Sequence, residues 1–289
     1  MKRALIVHGG CGTPPKGQEG PRREACERAA EAGWALLKEG RSALDAVEAA
    51  VRALEDEPLL NAGTGSYLQA DGVARLDASI MASDGRAGAV AQAPLLPHPV
   101  SLARYLLEQD AHVMLASPET TALAARIGHP VGVVATPAKI AYWQQHLDDT
   151  CRGLDYAAMA AAWKSENPRL GTVGCVALDG EGRLAAATST GGTGQCYPGR
   201  VGDTPIIGAG TYCSPIVGVS MTGIGERILV KLAAKRLADL RGDGVPLGEA
   251  ALRVLEEVGP GAGLIALDVG GTFAERRNTP FMAAARREG

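Results

Sequence analysis

The chain has 289 residues, with 29 Lys and Arg against 32 Asp and Glu, a formal net charge of −3 and an isoelectric point near 6.0, which excludes the basic footprint of a nucleic-acid binder. With 46% hydrophobic and 21% charged residues it is not a disordered chain, and no apolar run approaches the ~18 residues of a membrane span. Glycine is abundant (38 residues) and aromatics are scarce (3 Trp, 6 Tyr, 2 Phe), without the every-third-residue glycine of collagen.

The chain opens with MKRALIVHGG, whose apolar stretch Ala4 to Val7 is too short for a signal-peptide core. It reads as a first strand, and the chain as cytoplasmic. A helix is predicted over 22–38, with Gly40 as its stop. A second begins at Ser42 as N-cap, with Asp45 three residues on and Ala46, Val47, Ala50, Val51 and Leu54 at helical spacing. Around Asp71-Gly72 and Asp84-Gly85, VARLDASIMAS and AGAVAQA read as strands. Ser117-Pro118-Glu119 opens another helix. Residues 137–166 read as mostly helical, ending in the polar linker KSENPRL.

From residue 171 the strands restart. TVGCVALD and RLAAATST flank Gly180-Glu181-Gly182 and predict a hairpin, followed by strands at IIGAGTYC and IVGVSMT. Helices are predicted over 225–240 and 247–258, and GLIALDVGG is read as closing the sheet. Strands cluster and then helices cluster in each half. This favours an α+β fold of stacked, mainly antiparallel sheets covered by helices over an alternating doubly wound one.

The six cysteines form no CxxC pair and read as reduced core residues. No two histidines stand at i, i+4, and none follows His146. The second half therefore carries no histidine base of its own. Gly171-Thr172 offers another. Were that bond cut, Thr172 would carry a hydroxyl and a free α-amine of pKa near ~8, able to act as its base. By itself the dipeptide reads more readily as an ordinary strand threonine. ATSTGG places Thr188 and Thr190 on one face of the neighbouring strand. In GRVGD, Arg200 suits a carboxylate and Asp203 an ammonium, although such a pair also reads as a surface salt bridge. In TGIGE, Thr222 and the Gly223 N–H suit an oxyanion, although the same text reads as a helix cap.

Taken together, GTVGCVALDGEGRLAAATSTGG, GRVGDTPIIGAG and TGIGE resemble the isoaspartyl peptidase / plant-type asparaginase family of N-terminal-nucleophile (Ntn) hydrolases, and HGGCG, LLNAGTGS and NTPFM extend the likeness over nearly the whole chain. The resemblance implies a four-layer αββα sandwich made as one precursor. It cuts itself into residues 1–171, the α subunit, and residues 172–289, the β subunit of the same domain. It implies β-aspartyl dipeptidase and L-asparaginase activity. Thr172 is then the nucleophile and Thr190 its neighbouring hydroxyl. Arg200 and Asp203 bind the substrate's α-carboxylate and α-amine. Thr222 and Gly223 hold the oxyanion, Gly225 lines the pocket and Asn61 contacts the nucleophile. The resemblance implies no catalytic cofactor, but a structural sodium ion on the backbone carbonyls of Leu54, Glu55, Glu57, Leu60, Ala62 and Thr64. It also implies a dimer of αβ units acting on a small molecule or dipeptide, with no nucleic-acid or membrane partner.

Two departures stand out. Gln195-Cys196 replaces a frequent Asn-Lys pair, which puts the shape of that side of the pocket in question, and Cys11 stands where alanine is frequent. Glycosylasparaginase is the near rival, but Gly171 before the nucleophile and Thr190-Gly191-Gly192 after it point away from it. The Gly-rich loops also leave a nucleotide-binding protein as a reading from another class, without a GxGxxG or P-loop match. An uncleaved relative without activity is a third.

Overall fold

The computed structural model describes residues 2–163 and 171–289. The linker predicted at 164–170 lies outside the described residues, as does the end of the helical stretch predicted over 137–166.

The first apolar run forms β1 (Ala4–Gly12), which HGGCG prolongs. Helices α1 (Glu19–Lys38) and α2 (Ala43–Glu55) follow. α2 starts at its predicted cap. The Asp45 N–H donates to Ser42 Oγ at 3.2 Å, satisfying a first-turn donor that has no partner inside the helix. Strands β2 (Arg75–Ala82) and β3 (Ala87–Pro94) pair antiparallel around the Asp84-Gly85 turn. Then come α3 (Pro99–Gln109), β4 (Met114–Ala116) and α4 (Glu119–Arg126). The stretch predicted as mostly helical after Pro137 is three helices, α5 (Pro137–His146), α6 (Asp149–Arg152) and α7 (Tyr156–Trp163). Leu147 leaves α5 in an extended conformation and Leu154 takes φ +49°, and each breaks the run.

After Thr172 come β5 (Val173–Leu178) and β6 (Leu184–Thr190), the predicted hairpin. Of IIGAGTYC only β7 (Thr211–Cys213) is a strand, with β8 (Val217–Gly223) beside it. The helix predicted over 225–240 is broken at Leu232, which adopts the left-handed conformation (φ +46°, ψ +51°) and divides it into α8 (Gly225–Lys231) and α9 (Ala233–Gly242). Helix α10 (Leu247–Val258) matches its predicted range. GLIALDVGG does not close the sheet. It forms β9 (Ala262–Asp268), an inner strand, and is followed by β10 (Phe273–Arg277) and β11 (Phe281–Glu288).

The strands make two sheets, one ordered β11-β1-β5-β6-β2-β3-β4 and one ordered β10-β9-β8-β7. All pairings are antiparallel except β3 with β4. Successive side chains on a strand point to opposite faces, and the core follows that rule. Leu5, Val7, Cys175, Ala177, Ala185 and Ala187 of the large sheet pack with α1, α2 and α3 in one cluster. Their neighbours Ala4, Ile6, Val176, Leu178, Leu184 and Ala186 share a second cluster with Ile265 and Leu267 of the small sheet. The other face of the small sheet, with Val217, Val219, Leu264 and Ala266, packs on α9 and α10. No described helix is long and apolar enough to cross a membrane.

Candidate active site

The site collects at one end of the strands. Val173 pairs with Ser189, so Thr172, just before β5, lies across from Thr190 at the end of β6. The Thr172 hydroxyl is buried and donates to Thr190 Oγ1 at 3.3 Å. The Gly192 N–H donates to the same oxygen at 3.1 Å. Asn61 braces this corner. Its Nδ2 donates to the Gly192 carbonyl at 2.6 Å, and its own carbonyl accepts the Gly191 N–H at 2.9 Å. Its Oδ1 accepts the Tyr67 N–H at 2.9 Å. A Cβ placed on Gly171 would stand 2.9 Å from Asn61 Cβ, so the bond before Thr172 lies directly against Asn61.

Arg200 and Asp203 form the other wall. Arg200 Nη2 is 2.8 Å from Glu226 Oε1, and the Arg200 carbonyl accepts Gln92 Nε2 at 2.6 Å. A Cβ on Gly225 would stand 2.8 Å from both Arg200 Nη2 and Asp203 Oδ1, so only glycine lets α8 begin against these two charges. Gly192 joins the two walls, since a Cβ there would stand 3.8 Å from Arg200 Nη1. Burial pushes the Asp203 carboxyl up to about 7, although the Arg200 guanidinium pulls the other way.

Two buried polar atoms of the predicted site, Thr222 Oγ1 and Asp203 Oδ2, have no hydrogen-bond partner among the described residues. Buried polar groups are nearly always paired, so an orphan hydroxyl and an orphan carboxylate oxygen suit a ligand that completes them. Thr222 ends β8 beside Gly223, whose φ is +145°. Cys11 Sγ donates to the Thr222 carbonyl at 3.6 Å from behind. Burial pushes the thiols of Cys11 and Cys196 up to about 11, so neither competes with Thr172 as a nucleophile. Gln195 turns its amide toward the Trp143 carbonyl, with Nε2 donating at 3.5 Å.

In the loop from Leu54 to Thr64, the carbonyls of Leu54, Glu55 and Glu57 accept the N–H groups of Glu57, Thr64 and Leu60 at 3.3, 2.7 and 3.0 Å. Those of Leu60 and Ala62, both buried, and of Thr64 accept no hydrogen bond among the described residues. Carbonyls without donors are the oxygen ligands a hard cation takes, so three of the six carbonyls that the resemblance names suit such an ion and three are already taken by protein N–H groups.

Sequence reasoning missed Glu226, the partner of Arg200. The signal was present, since Glu226 closes TGIGE and a predicted carboxylate-binding arginine invites an acidic neighbour. Gln92 carried no signal, because only the fold brings it to the Arg200 carbonyl. A cavity of about 220 Å3 between α2 and α3, lined by Glu48, His98, Arg104 and His129 among others, touches none of these site residues.

The family described as Asparaginase matches residues 1–289. A plant-type L-asparaginase of Pyrococcus abyssi is 41% identical, with 98% of this chain and 95% of the relative covered. An isoaspartyl peptidase of Escherichia coli is 40% identical over 98% of this chain and 92% of its own. An isoaspartyl peptidase/L-asparaginase of Bos taurus is 37% identical over 100% of this chain and 94% of its own.

Proposed function

The chain belongs to the asparaginase family, and from that membership we propose that it is an N-terminal threonine amidohydrolase, a β-aspartyl (isoaspartyl) dipeptidase with L-asparaginase activity. The observation that carries the assignment of residues is the Thr172–Thr190 hydroxyl pair at 3.3 Å, with Gly171 held against Asn61. In maturation, Thr172 Oγ attacks the Gly171 carbonyl carbon and the acyl group moves from nitrogen to oxygen. Water then hydrolyses that ester. Residues 1–171 end in a carboxylate, and residues 172–289 begin with a free amine.

That amine takes the Thr172 hydroxyl proton, and Oγ attacks the side-chain carbonyl of a β-aspartyl unit. The oxyanion accepts from the Thr222 hydroxyl and the Gly223 N–H, a role that the buried, unpartnered Thr222 Oγ1 supports. Ammonia or an amino acid leaves with a proton, and water hydrolyses the aspartyl ester. Arg200 takes the substrate's α-carboxylate and Asp203 its α-ammonium. The unpaired Asp203 Oδ2 and the narrow space beside Gly225 support that placement.

The same reading extends to the architecture. The three packing clusters support a four-layer αββα sandwich of the Ntn type, cut into α and β subunits of one domain. The loop from Leu54 to Thr64 would hold sodium and so steady Asn61; the ion takes no part in the chemical steps. A dimer of αβ units in the cytoplasm, with no catalytic cofactor and no nucleic-acid or membrane partner, completes the proposal.

Intact-mass analysis tests it. The purified protein should give two fragments, one beginning at Thr172, and Thr172→Ala should give one uncut chain that hydrolyses neither β-aspartyl dipeptides nor asparagine. Two fragments from the Thr172→Ala protein would sink the assignment.

A further inference from the structure

Behind the nucleophile, between the two sheets, lies a buried line of polar side chains that the reaction above does not use. His8 of β1 is fully buried, with Nε2 2.8 Å from Ser220 Oγ of β8. Ser220 Oγ is 2.8 Å from Thr188 Oγ1 of β6, and Thr188 is bonded to Thr211 of β7. Thr211 Oγ1 is 2.7 Å from Ser79 Oγ of β2, which also donates to the Thr204 carbonyl at 2.6 Å. Five strands from both sheets are thus joined by one chain of hydroxyls that starts at a histidine.

Its members are placed with respect to the site. Residues two apart on a strand share a face, and Ser220 is two before Thr222, Thr188 two before Thr190. Thr172 itself stands two before Gly174, and Gly174 has to be glycine. A Cβ there would stand 2.0 Å from Ser220 Oγ and 2.7 Å from His8 Nε2. The other ring nitrogen, Nδ1, accepts the Gly10 N–H at 3.4 Å. Along the same sheet interface, the cluster of Ile6, Val176, Leu184 and Ile265 is apolar. An apolar filler beneath the site would also avoid desolvating a row of hydroxyls. What hydrogen bonds add is direction, because they fix the register of one sheet on the other where apolar packing leaves it freer.

We propose that His8 is a positioning residue. Through Ser220 and Thr188 it locks the two sheets in register beneath the site, and so sets the spacing of Thr172, Thr190 and Thr222. This rests on Thr172 being the nucleophile. Burial keeps the imidazole neutral, with its pKa lowered to about 3, so the ring keeps one N–H to give and one lone pair to accept across the working pH range.

The test uses the full-length, self-cleaved protein with β-aspartyl-leucine as substrate. Ser220→Ala and Thr188→Val each remove one link with little change in volume. Each should lower kcat at least about ten-fold while KM stays within about two-fold, because Arg200 and Asp203 are not members of the chain. His8→Gln, whose amide can still reach Ser220, should keep more activity than His8→Leu. Should His8→Leu not fold, Ser220→Ala and Thr188→Val decide. Ser101→Ala, a buried hydroxyl on α3 bonded to Glu48, is the control and should leave both constants unchanged. Wild-type kcat in both hydroxyl variants would overturn the proposal, and so would KM rising in step with the fall in kcat, which marks general loosening. Hydrolysis surviving in Thr172→Ala would instead overturn the nucleophile on which the proposal rests.

Discussion

Asp203 is the residue where burial and chemistry pull against each other. Its carboxyl is pushed up to about 7 by desolvation. In the proposed role the substrate ammonium needs it ionised, so kcat/KM should rise with pH through about 7. The stability effect has the opposite sign. An unfolded aspartate loses its proton near ~4, whereas the folded one holds it to about 7. Between these values the folded state binds more protons, and its stability falls as pH rises. Asp203→Asn should therefore bind substrate poorly, yet show a higher melting temperature relative to wild type at pH 8 than at pH 4. An unchanged difference across that range would refute the buried ionisation. Asp77, raised to about 6 by burial, titrates in the same direction, and its charge acts on Asp203, so part of the difference between the two proteins is the mutual repulsion of these carboxylates. Gly225 is the second residue-scale case. Gly225→Ala places a methyl 2.8 Å from both Arg200 Nη2 and Asp203 Oδ1. Pushing those groups apart should raise KM more than it lowers kcat, at a stability loss of about 1–3 kcal/mol from overpacking, measured by steady-state kinetics and urea unfolding.

Among the elements, α2 links local sequence to the site. Ser42 caps it, and the carboxylate of Asp179, in the β5–β6 turn, accepts the Ala43 N–H at 3.1 Å. The helix start is thus fastened to the hairpin that carries Thr172 and Thr190. Ser42→Ala should cost about 1 kcal/mol, seen as a fall of about 2–4 °C in melting temperature, with kcat intact because Asp179 still holds the helix. Elements with such signals were legible: the cap of α2, its five apolar positions, the hairpin at Gly180-Glu181-Gly182, and α10. The elements misread were those whose boundaries depend on tertiary contacts. Nothing local marks Leu232 for a left-handed conformation. Likewise FMAAARRE carries no turn or cap to announce that β11 pairs with β1, more than 260 residues away in sequence.

At the scale of the molecule, strands from before and after Thr172 are interleaved. β5 and β6 lie between β1 and β2 in the large sheet. The cleavage proposed before Thr172 would break the chain without separating its parts, so the two fragments should co-elute from size exclusion in native buffer and part only in denaturant. Fragments that separate without denaturant would contradict the interleaving. The scarce aromatics also find a place. Tyr67 meets Tyr142 at 5.3 Å and Tyr156 meets Tyr197 at 5.2 Å, while Trp143 lies 3.1 Å from where a Cβ on Gly72 would stand. Five of the eleven aromatics thus bind α5 and α7 to the loops that frame the site, leaving an aliphatic, alanine-filled core.

The sequence by itself determined the family, because the motifs that carry the resemblance are each written in adjacent residues, and through the family it supplied the roles proposed for Thr172, Arg200 and Asp203. Residues 171–225 hold 14 of the 38 glycines; of these, Gly171 lies against Asn61, Gly174 against Ser220 and His8, Gly192 near Arg200, and Gly225 against Arg200 and Asp203. Only the tertiary structure decided what stands behind them. The absence of histidine from the second half is real, yet the pairing of β1 with β5 sets His8 opposite Gly174, two residues from Thr172. Glu226 and Gln92 likewise reach Arg200 only once the chain is folded. Sheet register joins residues by distance in space, and no local pattern encodes which strands will be neighbours.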